Sequence, residues 1–383
     1  MRPVDLRRDL VVSGEVHYFR LDPAEWEDRL DTALRTGVTA IATYVPWLAH
    51  ELPDGSFDFG ARHPHLDLVR FLSLCAERGL SVLARPGPFV MAELKNEGLG
   101  YSVLRDHPEI RAVGWDGEVR PETIVDYLHP AYLDAARSWF DAVIPILAAH
   151  TVSRGGPIVG VQLDNEIGML PWVTNSPDLS DRTVDELVRS LVAATSPDEV
   201  QERYGVAGST FDVDDPATWA PALRSPVEEQ VLALHRDLGR FTRERYGRYV
   251  GILRQWVRER GIGDDVPLLV NVHGCWGGRA TMFPLGISQL HRTWADGATV
   301  PGTDIYIGDL DLDKLPGLWV SNAFLAATCR ADQPYGVFEF EVGSGDYGEA
   351  FDVATGPEAA GLKLQLAIAQ GSSIVNYYLL AGG

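Results

Sequence analysis

The sequence predicts an α/β protein, a (β/α)8 TIM barrel with a long helical insertion after its fourth strand. Strand-like and helix-like patterns alternate from start to finish, which is the signature of parallel β/α units. Eight strand candidates can be drawn, the number that closes such a barrel. The fourth and seventh of them end in carboxylates, at the edge where barrels of this kind gather their polar groups.

The eight strands run Leu10 to His17, Val38 to Val45, Leu80 to Arg85, Ile158 to Leu163, Val266 to Val272, Thr303 to Ile307, Tyr335 to Phe340 and Ser373 to Leu379. Between them lie stretches with apolar residues at three-to-four spacing, namely Pro23 to Thr36, His65 to Arg78, Tyr132 to His150 and Gly317 to Cys329. Asp22 stands before Pro23 as an expected N-cap with proline at the first helical position. The excursion from Ile167 to Asp265 is partly helical, with Val227 to Arg260 its longest candidate, and no internal repeat is visible. One catalytic domain over residues 1–383 is therefore expected, carrying an insertion at about 167–265.

The chain has 383 residues, more than the ~250 of a bare barrel, which the insertion accounts for. A 45% hydrophobic and 23% charged composition is that of an ordinary globular protein with ample apolar material for a core. The formal net charge of −21 opposes binding to nucleic acid and to anionic membrane surfaces, both of which need clustered Lys and Arg. The stretch Met1 to Leu10 holds no apolar signal region, and no apolar run of about 18 residues occurs. Cys75, Cys275 and Cys329 are odd in number and have no CxxC spacing. Neither a disulfide framework nor a zinc site is indicated, and a cytoplasmic location is the expectation.

After the eighth strand only Ala381-Gly382-Gly383 remain, too few for the helix that normally covers the seam between last and first strands. Two expectations follow: a longer parent protein, or association of copies through the open seam.

Chemistry concentrates at the strand ends. Val161-Gln-Leu-Asp-Asn-Glu166 and Tyr335-Gly-Val-Phe-Glu-Phe340 each read as an apolar strand that delivers a carboxylate. Hydrolysis of a glycoside with retention needs such a pair: one carboxylic acid protonates the leaving oxygen, and a carboxylate about 5 Å away attacks the anomeric carbon. Glu166 and Glu339 are the candidates, and Asn165 beside the first could hydrogen-bond a sugar hydroxyl. The competing reading makes Asp164-Asn-Glu166 a polar loop and Glu339 a salt-bridged carboxylate. Glu341 lies two residues beyond Glu339, on the same face under a period of two, so the pattern leaves the choice between them open.

The third strand ends in Arg85, within reach of a nucleophile that it would hold ionised, or else paired with a core acid. Glu93 in the following loop could accept from sugar hydroxyls or simply cap the loop. Tyr44, Trp47, His50 and Glu51 cluster at the end of the second strand, where aromatic rings either stack on sugars or fill core. His17, His50 and His273 lack metal-ligand spacing, and no phosphate cradle of the GxxxxGK or GxGxxG type appears. No cofactor and no metal are implied.

With these residues assembled, the chain resembles the glycoside hydrolase family 35 β-galactosidases. The resemblance spans nearly the whole chain: Ser13-Gly-Glu-Val-His-Tyr-Phe-Arg20, Thr43-Tyr-Val-Pro-Trp47 with His50-Glu51, Arg85-Pro-Gly-Pro-Phe89 with Ala92-Glu93, Gly155-Gly-Pro-Ile158 with Val161-Gln162 and Asn165-Glu166, Glu339-Phe340 with Gly343, and Val375-Asn-Tyr-Tyr378 with Gly382-Gly383. It implies Glu166 as acid/base and Glu339, rather than Glu341, as nucleophile. It also implies that Tyr44, Ala92, Glu93, Asn165 and Tyr378 line the site for the terminal sugar, and that β-sandwich domains follow the barrel. Three positions depart from the family frame: Leu94 replaces a Trp, Ile167 a Tyr, and Ser344 an aromatic residue.

The reading that results is an exo-acting retaining β-glycosidase, first of all a β-galactosidase, acting on small-molecule or oligosaccharide β-glycosides. The same chemistry on a β-glucosaminide or an arabinopyranoside is the runner-up, kept open by the altered aromatic wall. A carbohydrate-binding barrel without catalysis is the alternative from a different class.

Overall fold

In the computed structural model, which describes residues 2–204, 215–273, 285–342 and 356–382, eight parallel strands close into a barrel in sequence order. They are β1 (Val11–Val16), β2 (Ala40–Tyr44), β3 (Ser81–Arg85), β4 (Ile158–Gln162), β5 (Leu268–Val272), β6 (Thr299–Ile305), β7 (Gly336–Glu341) and β8 (Ile374–Ala381). Closure is made by β1 on β8, where Val11 pairs with Ile374, Val12 with Val375 and Ser13 with Asn376. Cys275, Gly343, Ser344 and Gly383 lie outside the described residues.

Each strand is returned to the next by a crossover that contains a helix, the arrangement that parallel pairing requires. In Trp26–Arg35 the buried residues Trp26, Leu30 and Ala33 fall at helical spacing on one face. Asp67 caps Leu68–Glu77 by accepting from the Arg70 amide. The remaining crossovers carry Pro130–Ala149, Glu228–Glu259, Leu285–Leu290, Leu315–Thr328 and Pro357–Ala369. None of the described helices is long and apolar enough to cross a membrane.

One apolar layer fills the barrel. Val11, Ala40, Leu83, Val159, Leu269, Val300, Phe338 and Ile374, one from each strand, form a single buried cluster with Leu6. A second cluster joins the outer side of β6, β7 and β8 to the last two helices through Ile305, Leu318, Val337, Phe340, Ala367 and Val375.

Two expectations are corrected. Asp22 does not cap a helix at Pro23; its carboxylate accepts from the Ala24 amide in a preceding turn, and the helix begins at Trp26. The sixth strand begins at Thr299 rather than Thr303, through a Pro301-Gly302 pair that reads as a turn. Gly302 is there for space, because a Cβ on it would lie 2.5 Å from the Phe338 ring. The chain divides into two compact units. The first holds residues 1–102, 136–167 and 250–383, and the second 103–135 and 168–249. The stretch after β3 thus joins most of the excursion after β4, while residues 250–265 belong with the barrel. The second unit has its own core, including Leu179, Leu187, Trp219, Leu234 and Phe241.

Packing around Gly302 generates a paired test of stability. Gly302→Ala should cost about 1–3 kcal/mol in urea unfolding, because the ring and backbone must move apart. Gly251→Ala, at a helical position where a Cβ meets nothing within 4 Å, should instead stabilise by roughly 0.5–1 kcal/mol. Equal responses at the two positions would contradict the packing described.

Candidate active site

The polar residues at the strand ends converge on Glu339. Its Oε1 lies 2.5 Å from Arg85 Nη2 and 2.5 Å from the Tyr44 hydroxyl, and its Oε2 accepts from the Tyr306 hydroxyl at 2.5 Å. Both oxygens are therefore met by donors, the pattern of an ionised carboxylate. Tyr44 Oη also stands 2.7 Å from Asn165 Oδ1, but that oxygen already accepts from Asn271 Nδ2 at 2.6 Å and Arg85 Nη2 at 3.1 Å. The single Tyr44 proton is thus directed to Glu339.

Arg85 is 2% exposed and carries its charge into the barrel because acids surround it. Its Nη1 donates to Glu15 Oε2 at 2.8 Å, and its guanidinium carbon sits 3.9 Å from the Tyr44 ring centre. Burial works against the cation, but Glu15, Tyr44 and Glu339 hold its pKa well above the ordinary value. Burial likewise works against Glu15, yet Arg85, then His17 and Asn376, keep its carboxyl below the usual range. Asn376 on β8 donates to Glu15 Oε2 at 2.7 Å and to the Phe338 carbonyl at 2.9 Å, and accepts from Ser13 Oγ at 2.8 Å. Of the two roles expected for Arg85, pairing with the site carboxylate and pairing with a core acid, the fold makes both at once.

Glu166 follows β4 on a left-handed turn. Asp164 has φ 61° and Glu166 has φ 43°, conformations that non-glycine residues adopt only when their surroundings impose them. The Glu166 amide donates to Asn271 Oδ1 at 3.0 Å, and that of Asn165 to Asp164 Oδ1 at 2.7 Å. One oxygen each of Glu166, Asp304 and Glu339 lie within 4.8 Å of one another, all buried. Burial first, then the Glu339 charge, push the Glu166 carboxyl up to about 8. The spacing of this trio would suit a cation, but Arg85 and two tyrosine hydroxyls already occupy both oxygens of Glu339, so the donor set does not fit one.

Glu341 is placed elsewhere. It accepts from the amides of Ile307 at 3.0 Å and Gly308 at 2.6 Å and pairs with Lys363 Nζ at 3.4 Å. The shared face expected from a period of two is broken, since the register of β7 shifts against both neighbours between Val337 and Phe340. Phe338 lies in the inner layer and Val337 and Phe340 in the outer cluster, so Phe338 and the adjacent Glu339 are both turned inward.

At the rim, Met91, Ala92 and Glu93 all have positive φ, from 52° to 54°. The Ala92 carbonyl accepts from the Arg20 guanidinium, which is also 3.8 Å from Glu93. Tyr378 Oη donates to Glu93 Oε2 at 3.5 Å. Tyr44, Arg85, Asn165, Glu166 and Glu339 are thus in direct contact or within one oxygen trio, with Ala92, Glu93 and Tyr378 forming an adjoining rim. Leu94 is half-buried and Ile167 buried. Trp47 is core, stacked on Trp139 at 6.5 Å. His50 is wedged between the Tyr18 hydroxyl and the Asp58 carbonyl, and burial lowers its pKa to about 4. Among the described residues, no histidine belongs to a cluster with metal-ligand spacing.

The sequence reading missed Asn271, Asp304, Tyr306 and the Glu15 anchor. A signal for two of them was present: Asn271 interrupts Leu268-Leu-Val, and Asp304 ends the run before Ile305, each a polar residue near the carboxyl end of an apolar strand.

The family model described as glycosyl hydrolases family 35 matches residues 4–202, more than half of the chain. A β-1,2-glucosyltransferase of Ignavibacterium album is 32% identical over 281 residues, 73% of this chain and 38% of that protein. A β-galactosidase of Felis catus is 36% identical over 157 residues, 41% of this chain and 21% of that protein. The chain therefore spans well under half the length of these relatives. Among solved structures, the β-galactosidase from the psychrophilic Marinomonas ef1 superposes with a TM-score of 0.72 at 14% identity, covering 96% of this chain and 54% of that one. That likeness is one of fold.

The raised Glu166 carboxyl predicts a pH dependence of stability. Between the ordinary glutamate value of 4.5 and about 8, the folded chain keeps a proton that the unfolded chain releases. Stability from this group is present below the window and lost as pH rises through it. Glu166→Gln, which cannot ionise, should raise the melting temperature by at least ~2 °C more at about pH 9 than at about pH 5. A difference that is flat across this range would remove the assignment.

Proposed function

Because the chain belongs to glycosyl hydrolases family 35, we propose that it is an exo-acting retaining β-glycosidase, with Glu339 as nucleophile and Glu166 as acid/base. The observation that carries the reading is the placement of one oxygen of Glu166 and one of Glu339 within 4.8 Å of each other, matching the roughly 5 Å that retention uses and leaving no room for the water of an inverting enzyme. Their environments also differ in the sense the chemistry needs: three donors meet Glu339, while burial beside a negative charge favours the protonated form of Glu166.

In the first step a Glu339 oxygen bonds to the anomeric carbon as the glycosidic bond breaks, and Glu166 gives its proton to the leaving oxygen. In the second, Glu166 takes a proton from water, whose oxygen attacks the anomeric carbon and releases Glu339. Arg85, Tyr44 and Tyr306 hold the attacking carboxylate in one orientation. The Asn165 carbonyl is engaged with Asn271 and Arg85, so its amide NH2 is the group available to a sugar hydroxyl, with Ala92, Glu93 and Tyr378 around it. The substrate class is a neutral β-glycoside, small or oligosaccharide, with a terminal β-galactosyl group first. A cytoplasmic site of action is proposed from the cysteine usage.

A second reading is supported by the glucosyltransferase relative: the same glycosyl-enzyme intercepted by a sugar hydroxyl in place of water. The altered wall at Leu94 and Ile167 likewise keeps glucosyl, glucosaminyl and arabinopyranosyl donors in the test.

A panel of aryl β-glycosides, with and without sugar acceptors, will read out both the sugar and the acceptor; no turnover on any member would leave only a binding role. A mechanism-based fluorosugar should label Glu339, and a label mapped to Glu341 would refute the nucleophile assignment. Glu166→Ala should slow glycosides with poor leaving groups by about 10²–10⁴-fold and activated aryl glycosides far less, since the latter need little protonation. Equal losses on both would count against Glu166 as the acid.

A further inference from the structure

Asp304, at the carboxyl end of β6, is 1% exposed and belongs to the same oxygen trio as Glu166 and Glu339. Its Oδ2 accepts from Asn271 Nδ2 at 2.7 Å. Its Oδ1 is buried and meets no hydrogen-bond donor among the described residues. A carboxylate oxygen in that position is costly, whereas a carboxyl O–H can donate to a neighbouring carboxylate. That neighbour is Glu166, one of whose carboxyl oxygens lies within 4.8 Å of an Asp304 oxygen.

The charge balance agrees. Facing Asp304 are Glu166 after β4, Asn271 from β5, Glu339 from β7, Arg85 from β3, and Tyr306 just past the end of its own strand. The one fixed cation in this set, Arg85, already serves Glu15 and Glu339. Another carboxylate would sit in a dry site without a counter-charge.

Resting on the acid/base reading of Glu166, we propose that Asp304 is a positioning residue that stays protonated through the reaction and donates its hydrogen bond to the Glu166 carboxylate. When Glu166 has passed its proton to the leaving oxygen, the Asp304 O–H meets the carboxylate left behind and holds it for the second step. When Glu166 recovers a proton from the attacking water, Asp304 still has its own. Asp304 exchanges nothing with substrate; it sets how readily Glu166 alternates between acid and base. Burial and the two neighbouring carboxylates raise the Asp304 pKa well above the usual range, which is consistent with this role.

The test compares the parent protein with Asp304→Asn, which can donate but not ionise, and Asp304→Leu, which fills the space and does neither. Carbon-13 carboxyl NMR, with the Glu166 signal assigned by its loss in Glu166→Gln, reads the Glu166 titration without any need for turnover. The Glu166 pKa should stay within about half a unit in Asp304→Asn and rise by about one unit or more in Asp304→Leu, the worth of one hydrogen bond to a charged group. On an activated aryl β-glycoside, where the second step limits, Asp304→Leu should lose about 10- to 100-fold in kcat, and Asp304→Asn should recover to within about fivefold of the parent. A fall of a unit or more in Asp304→Asn would mean that Asp304 is an anion and would overturn the proposal, as would an unmoved titration in Asp304→Leu. If Asp304→Leu does not fold, Asp304→Asn alone decides between the two. Absence of turnover in the parent protein would sink the proposed function, while the titration still judges Asp304.

Discussion

One buried cation organises this site. Arg85 cannot shed its proton, so its position at 2% exposure obliges acids to be there with it, and the fold supplies Glu15 on one side and Glu339 on the other. The rest follows from satisfying those acids. Asn376 on β8 donates to Glu15 and His17 stands 3.6 Å from its other oxygen, while Tyr44 and Tyr306 complete Glu339. Because these groups come from β1, β2, β3, β6, β7 and β8, the orientation of one carboxylate is fixed by the closure of the barrel rather than by any single loop.

That arrangement divides four carboxyl groups into two kinds. Glu15 and Glu339 have the cation and donors; Asp304 has the Asn271 amide, and both it and Glu166 are buried beside other carboxyl groups. Low dielectric magnifies the difference, since a charge without a partner is far more costly there than in water. Protons accordingly reside on the second pair. The asymmetry that acid and nucleophile need arises from where a single arginine can reach.

The backbone is adapted to the same end. Left-handed residues at Asp164, Glu166 and Met91 to Glu93 bend the chain sharply at the ends of β4 and β3. The register shift in β7 turns Phe338 and Glu339 inward in succession, which seats an apolar plug beneath the carboxylate. Gly302 leaves the room that this plug occupies. Glu341, one step past the shift, is tied to Lys363 and the amides after β6 instead.

The alternation of apolar strands and amphipathic helices was enough to determine the barrel, because burial on both faces of a parallel strand writes a continuous apolar run into the sequence. The same logic exposed Arg85, Glu166 and Glu339, each a polar residue ending such a run. What the chain order could not hold was anything decided across strands. Glu339 against Glu341 turned on a register shift that no local pattern records. Asn271, Asp304 and Tyr306 acquire their meaning only from Glu166 and Glu339, which arrive from β4 and β7. The second compact unit draws on two separate stretches, 103–135 and 168–249, whose association is a matter of packing and not of neighbouring sequence. Local propensity and hydrophobic period determine elements; which carboxylate receives the arginine is settled only when eight strands close and their ends are brought within hydrogen-bond reach.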